Sequence, residues 1–234
     1  IQSEKVRALG DLSAGIMHEI GNPLNFTMTA LEVASADAED DPDLQECFTD
    51  MGEGLTRIKD ILADLRTFAY PTTAESSRPV AIAGLVSSAL RLTGSEVKDI
   101  SVEVKTPAEH TARGSRSQLL HVIMNLIVNA ARAIHDRADL DSEQGCIRII
   151  SSDQDNHVTI SVMDNGVGIP DAIKDRIFDP FFTTRDVQQG MGLGLSLCRT
   201  IIDHHKGGIT VDSESGRGTI MTLSLPTAFS EDRS

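Results

Sequence analysis

The chain has 234 residues, enough for one large domain or two small ones, with 40% apolar and 24% charged residues as in an ordinary globular protein. A net charge of −14 opposes binding to a polyanion, and one Tyr with no Trp leaves little to stack on bases, so nucleic acid is not an expected partner. Cys47, Cys146 and Cys198 are too scattered for a disulfide frame or a zinc site and read as buried apolar residues of a reducing compartment.

In chain order, Leu9, Leu12, Ile16, Ile20, Leu24, Met28 and Leu31 recur every three or four residues and predict an amphipathic helix. Pro23 lies inside it and is expected to bend it or free a carbonyl near Glu19. No run approaches the ~20 apolar residues of a membrane span. The chain opens at Ile1, already in a helical pattern by Val6, so a cytoplasmic fragment is expected, with any sensor or membrane anchor upstream. After an acidic turn at residues 37–43, Leu44, Phe48, Met51, Leu55, Ile58, Leu62 and Leu65 hold an alternating four-three spacing. Two such helices bury too little by themselves, so residues 1–69 are expected to pair with a second copy as a four-helix homodimer.

Residues 70–79 lack apolar periodicity and read as a linker. Beyond it, helices are predicted at 82–94, 115–137 and 192–206. Strands are predicted at 100–105, 145–152, 157–164, 208–213 and 218–225, with a long loop at 165–191. The last four strands form two close pairs, so residues 80–228 are expected to be an α/β sandwich of the α+β class, with a tail at 229–234.

The chemistry-bearing residues fall in five clusters. His18 lies about 200° around its helix from Ile16, away from the apolar seam, with Asn22 one turn on and Glu19 at the edge. Glu19 can accept the Nδ1 proton of His18, leaving the Nε2 lone pair to attack a γ-phosphate, and Asn22 can orient a water for the hydrolytic step. A His-Glu-x-x-His zinc site is ruled out because Asn22 stands where its second histidine would be. Asn125 and Asn129 project together and offer amide oxygens to a Mg²⁺ shared with phosphates. Asp164 ends a predicted strand, suited to the amino group of an adenine, and Gly166 and Gly168 permit close approach. Phe178, Phe181 and Phe182 are expected to anchor a lid. Gly190, Gly192 and Gly194 lead into a helix whose N–H groups can hold phosphate oxygens, without the pattern of a P-loop or dinucleotide fold. Thr219, in Gly216-Arg217-Gly218-Thr219, is placed to support Asp164.

In this order the clusters resemble the catalytic core of a bacterial sensor histidine kinase. His18-Glu19-Ile20-Gly21-Asn22-Pro23-Leu24 is similar to the family's H box, and Asn125–Asn129 to its N box. Asp164–Gly168, Phe178–Phe182 and Gly190–Gly194 are similar to its G1, F and G2 boxes. The resemblance implies a dimerising phosphotransfer domain at 1–69 and a Bergerat-type (GHKL) ATP-binding domain at 80–228. It further implies that His18 is the phospho-acceptor with Glu19 as its base, Asn129 the Mg²⁺ ligand with Asn125 near metal and phosphate, and Asp164 the adenine contact. Glu19-x-x-Asn22 resembles the family's phosphatase signature, which would act on a response-regulator receiver domain. Arg185 stands where many relatives have Lys and keeps a positive charge near the phosphates. A clamp-type GHKL ATPase, which carries a catalytic carboxylate where this chain has Asn125, and a non-catalytic scaffold are the alternatives.

Overall fold

The computed structural model describes residues 20–36, 38, 41–69, 78–137, 145–184 and 192–228, and the chain divides into two units, residues 1–71 and 72–234. The first unit is a helical hairpin. Helix α1, over residues 20–36, runs through Pro23; the carbonyl effect expected near Glu19 lies outside the described residues. Helix α2 (Pro42–Ala69) starts for a local reason. Asp41 Oδ1 accepts the N–H groups of Asp43 and Leu44 at 3.1 and 3.2 Å, an N-cap followed by a proline at the first helical position, where no donor is missed. Gln45 Nε2 donates to the Ser35 carbonyl at 2.6 Å and ties the two helices at the turn.

Leu24 is buried, Met28 and Leu31 are half-buried, and Leu31 Cδ2 lies 3.6 Å from the place a Cβ would take on Gly52 of the facing helix. The apolar series of α2 splits in two. Phe48 and Leu55 are half-covered, whereas Leu44, Met51 and Ile58, one heptad apart, stay exposed. Leu62 and Leu65 lie beyond the described side chains. A two-helix hairpin satisfies only half of a coiled-coil seam.

In the second unit, β1 (Pro79–Ala81) pairs antiparallel with β3 (Thr111–Arg113), and α3 (Ile82–Leu92) follows β1 directly. Neither short strand is visible as a pattern in the sequence, and Pro79, expected to close the linker, instead opens a strand, at a first position that needs no donor. The main sheet has the order β2-β4-β5-β7-β6, with β2 (Ser101–Lys105), β4 (Cys146–Gln154), β5 (His157–Asp164), β6 (Gly208–Glu214) and β7 (Gly218–Pro226). β4–β5 and β6–β7 are the predicted hairpins, while β2 runs parallel to β4, a pairing that needs the crossover supplied by α4 (Arg116–His135).

Alternation along β5 places Val158, Ile160 and Val162 on one face, buried under α4, and leaves Thr159, Ser161 and Met163 on the other. A one-turn helix α5 (Asp171–Lys174) interrupts the predicted loop, and α6 (Gly194–His204) packs on α4 and β6. Helix α4 is long and apolar enough to cross a membrane by length and composition alone. Its apolarity has a different cause here, since Leu119, Val122, Ile123, Leu126, Ile127 and Ala131 are all buried in the domain core. Of the cysteines only Cys198 is buried; Cys47 is exposed and Cys146 half-buried, against the expectation that all three are core residues.

Candidate functional site

On α4, Asn125 and Asn129 project together as predicted, and Asn129 Nδ2 donates to Asn125 Oδ1 at 2.9 Å. That bond engages the amide nitrogen of Asn129 and leaves its carbonyl oxygen as an acceptor for a hard cation. One further turn along the same face stands Arg132, half-buried and without an ion pair among the described residues. Sequence reasoning passed over it; the i, i+4, i+7 spacing of Asn125, Asn129 and Arg132 is the signal that finds it.

Asp164 is the next member of the series Val158, Ile160, Val162, a carboxylate where the core face of β5 reaches its end. Burial raises its pKa to about 6, while the backbone N–H groups of Gly166 and Thr219 pull the other way. The Gly166 N–H bond to Oδ1 measures 2.9 Å. Across the ladder Asp164 pairs with Thr219, and Thr219 with Ser213, so the three side chains stand in a row on the helix-covered face. Thr219 supports the carboxylate through its backbone N–H, and its hydroxyl lies 3.0 Å from Ser213 Oγ.

The glycines act mainly by allowing contact. A Cβ on Gly166 would meet the backbone of Ala133 in α4, and the next residue, Val167, donates its N–H to the Ala133 carbonyl at 3.0 Å. Gly168 has φ +69° with its α-carbon against the Glu214 carbonyl, a position closed to any other residue on both counts. Gly192 abuts the backbone of Phe181 and Phe182. Gly194 opens α6, and a Cβ there would fall 2.5 Å from Nδ2 and 2.9 Å from Oδ1 of Asn125. The predicted G2 and N clusters therefore meet through one amide.

The phenylalanine cluster divides. Arg176 covers the Phe182 ring at 4.6 Å and Arg199 the Phe178 ring at 5.5 Å, so these two rings are anchored. Phe181 is not; it is 58% exposed with φ +66°, because the chain turns back at that residue. The adjacent His204 and His205 diverge on their helix: His204 is exposed, while buried His205 accepts the Ser115 N–H on Nε2 at 2.9 Å and donates from Nδ1 to the Ile201 carbonyl at 2.7 Å. Asn22 is exposed on α1. His18, Glu19, Arg185 and Gly190 lie outside the described residues.

The donor set fits a magnesium nucleotide. Amide oxygens suit a cation whose charge is balanced by phosphate, a carboxylate at the core's edge suits an exocyclic amine, and Gly166, Gly168, Gly192 and Gly194 let the segments that carry these groups pack closely on one another.

Residues 114–228 match the family described as histidine kinase-, DNA gyrase B- and HSP90-like ATPase, and residues 8–73 match the His Kinase A (phospho-acceptor) domain. Sporulation kinase A of Bacillus subtilis is 31% identical over 97% of this chain and 36% of its own length. The sensor histidine kinase ZraS of Escherichia coli is 30% identical over 96% of this chain and 47% of its own. The chain thus spans less than half the length of these curated relatives. Among solved structures, the catalytic domain of the histidine kinase ThkA matches with a TM-score of 0.55 and 30% identity, covering 64% of this chain and 95% of that one.

Proposed function

Because the chain belongs to the sensor histidine kinase family, we propose that it phosphorylates its own His18 from ATP and passes the phosphoryl group to an aspartate of a response-regulator receiver domain. The observation that carries this is that helix α4 gathers the clusters, with Gly194 against Asn125, Asn129 bonded to Asn125, and the loop after Asp164 seated on Ala133 one turn further on, an arrangement that suits an adenine nucleotide.

Asp164 accepts from the adenine amino group, and Gly166 and Gly168 let the loop beside it pack on Ala133 and Glu214 and so hold the carboxylate in place. Asn129 would hold Mg²⁺, with Asn125 fixing its amide, and Arg132 and Arg185 supply positive charge toward the phosphates. When bound, that ion neutralises phosphate oxygens, the main requirement of phosphoryl transfer. His18 Nε2 forms a bond to the γ-phosphorus as the bond to the β-bridging oxygen breaks and ADP leaves, and Glu19 takes the Nδ1 proton. The N–P bond then serves as donor to the receiver aspartate. Asn22, one turn from His18, orients water for dephosphorylating that receiver. The exposed heptad series Leu44, Met51 and Ile58 supports homodimerisation through residues 1–69.

The test is incubation with γ-labelled ATP and Mg²⁺, comparing wild type with His18→Gln. An acid-labile, alkali-stable label that vanishes in the variant is expected. ATP turnover without label would favour a clamp-type ATPase, and absence of nucleotide binding would favour a scaffold.

A further inference from the structure

Ser213 ends the row that begins at Asp164 and has been given no role of its own, yet it is buried and its hydroxyl has three partners. The Ile169 N–H donates to it at 2.8 Å, the Gly218 carbonyl lies at 2.8 Å, and Thr219 Oγ1 lies at 3.0 Å. A serine hydroxyl has one proton and two lone pairs. A carbonyl only accepts, so the Ser213 proton goes to Gly218. An amide N–H only donates, so Ile169 occupies one lone pair. The second lone pair is left for Thr219, whose hydroxyl is therefore the donor of that bond. With its proton committed to Ser213, Thr219 Oγ1 has only lone pairs to present elsewhere. Its neighbour in the row, Asp164, is likewise an acceptor alone when ionised.

We propose that Ser213 is a positioning residue that sets base selectivity: by holding the Thr219 proton it keeps the Asp164–Thr219 wall acceptor-only, which takes the amino group of adenine and rejects the carbonyl of guanine. The proposal rests on Asp164 being the adenine contact. An acceptor facing the guanine carbonyl leaves both oxygens unpaired, and desolvated unpaired acceptors discriminate strongly. Ser213 also joins three segments of the site: Ile169 follows the Asp164–Gly168 loop, Gly218 and Thr219 open β7, and Ser213 itself is on β6. Neither role is visible from sequence spacing, because the three segments meet only through the fold.

The full chain and its Ser213→Ala variant are titrated with ADP and GDP at pH 7.5, by displacement of a fluorescent adenine nucleotide. With alanine at 213 the Thr219 hydroxyl is free to turn and donate. ADP should weaken about tenfold, the worth of one such hydrogen bond, while GDP holds or tightens. The ADP-to-GDP affinity ratio should therefore fall by about tenfold or more. An equal loss for both nucleotides would show that Ser213 only braces the fold and would overturn the proposal, as would wild-type behaviour. If Ser213→Ala does not fold, Ser213→Thr decides: it keeps the hydroxyl and should keep the wild-type ratio, and a lost ratio in the folded threonine variant overturns the proposal. Asp164→Asn, run alongside, separates the two levels. Unchanged ADP binding there means that the adenine assignment has failed. A ratio that falls in Asp164→Asn but not in Ser213→Ala means that only the role of Ser213 has failed.

Discussion

Lowering the pH should weaken adenine-nucleotide binding through Asp164. Its pKa is raised to about 6 by burial at the end of β5. Only the ionised carboxylate is a full-strength acceptor for an exocyclic amine, so apparent affinity scales with the ionised fraction. That fraction is close to one at pH 7.5 and roughly 0.1 at pH 5, so the apparent Kd for ADP should rise about tenfold across this window. Binding should also release about half a proton at pH 6, visible as a buffer-dependent enthalpy in titration calorimetry. Protonation of the nucleotide phosphate falls in the same range, but it is common to wild type and Asp164→Asn. The variant keeps an acceptor oxygen without a titrating charge, so the ratio of the two Kd values isolates the side chain. For the nucleotide-free protein the folded pKa lies above the unfolded value of about 3.9, so the folded state holds the extra proton. Stability is therefore greatest below pH 4 as far as this group is concerned, and about 3 kcal/mol of it is lost as pH rises through 6. A wild-type Kd ratio to Asp164→Asn that stays flat from pH 7.5 to 5 would refute the reasoning.

Gly194→Ala puts a methyl group against the Asn125 amide, 2.5 Å from Nδ2, and should weaken Mg-nucleotide binding more than about tenfold while secondary structure persists; calorimetry and circular dichroism check this, and undiminished binding would remove that contact from the site. Met51→Glu places a charge in the centre of the exposed heptad stripe of α2 and should shift the protein from dimer to monomer in sedimentation equilibrium, leaving ADP binding by the second unit intact. His205→Ala leaves the Ser115 N–H without its acceptor and empties a buried site between α4 and α6; a loss of about 2–4 kcal/mol in denaturant unfolding is expected, and a loss under about 1 kcal/mol would show that water or a neighbour replaces the ring.

Legibility followed the range of the interactions. The β4–β5 and β6–β7 hairpins show in the sequence because alternation over seven to nine residues is a long signal and the partner is the next strand. β1 and β3 were missed because three residues carry no period and their partners are some 30 residues apart. The clusters around Asn125, Asp164 and Gly194 were legible as residue types at fixed spacing. Their joining was not: that Gly194 meets Asn125, or that Ser213 meets Ile169, depends on which strand lies beside which. The raised pKa of Asp164 was equally out of reach, since it follows from the depth of the core beneath it. Phe181 failed the expectation set by its neighbours because a left-handed turn points it outward while Phe178 and Phe182 lie under arginines.

The segments that carry the site residues pack main chain on main chain: Gly166 against Ala133, Gly168 against Glu214, Gly192 against Phe181 and Phe182. An inhibitor that packed on those backbone surfaces would offer the protein few routes of escape. Any side chain added at those glycines to push the compound away would first strike the protein's own backbone and disturb the loops that the nucleotide also needs. Resistance would have to come from the rim, at half-buried Arg132 or exposed Phe181, where a side chain can change without moving the main chain.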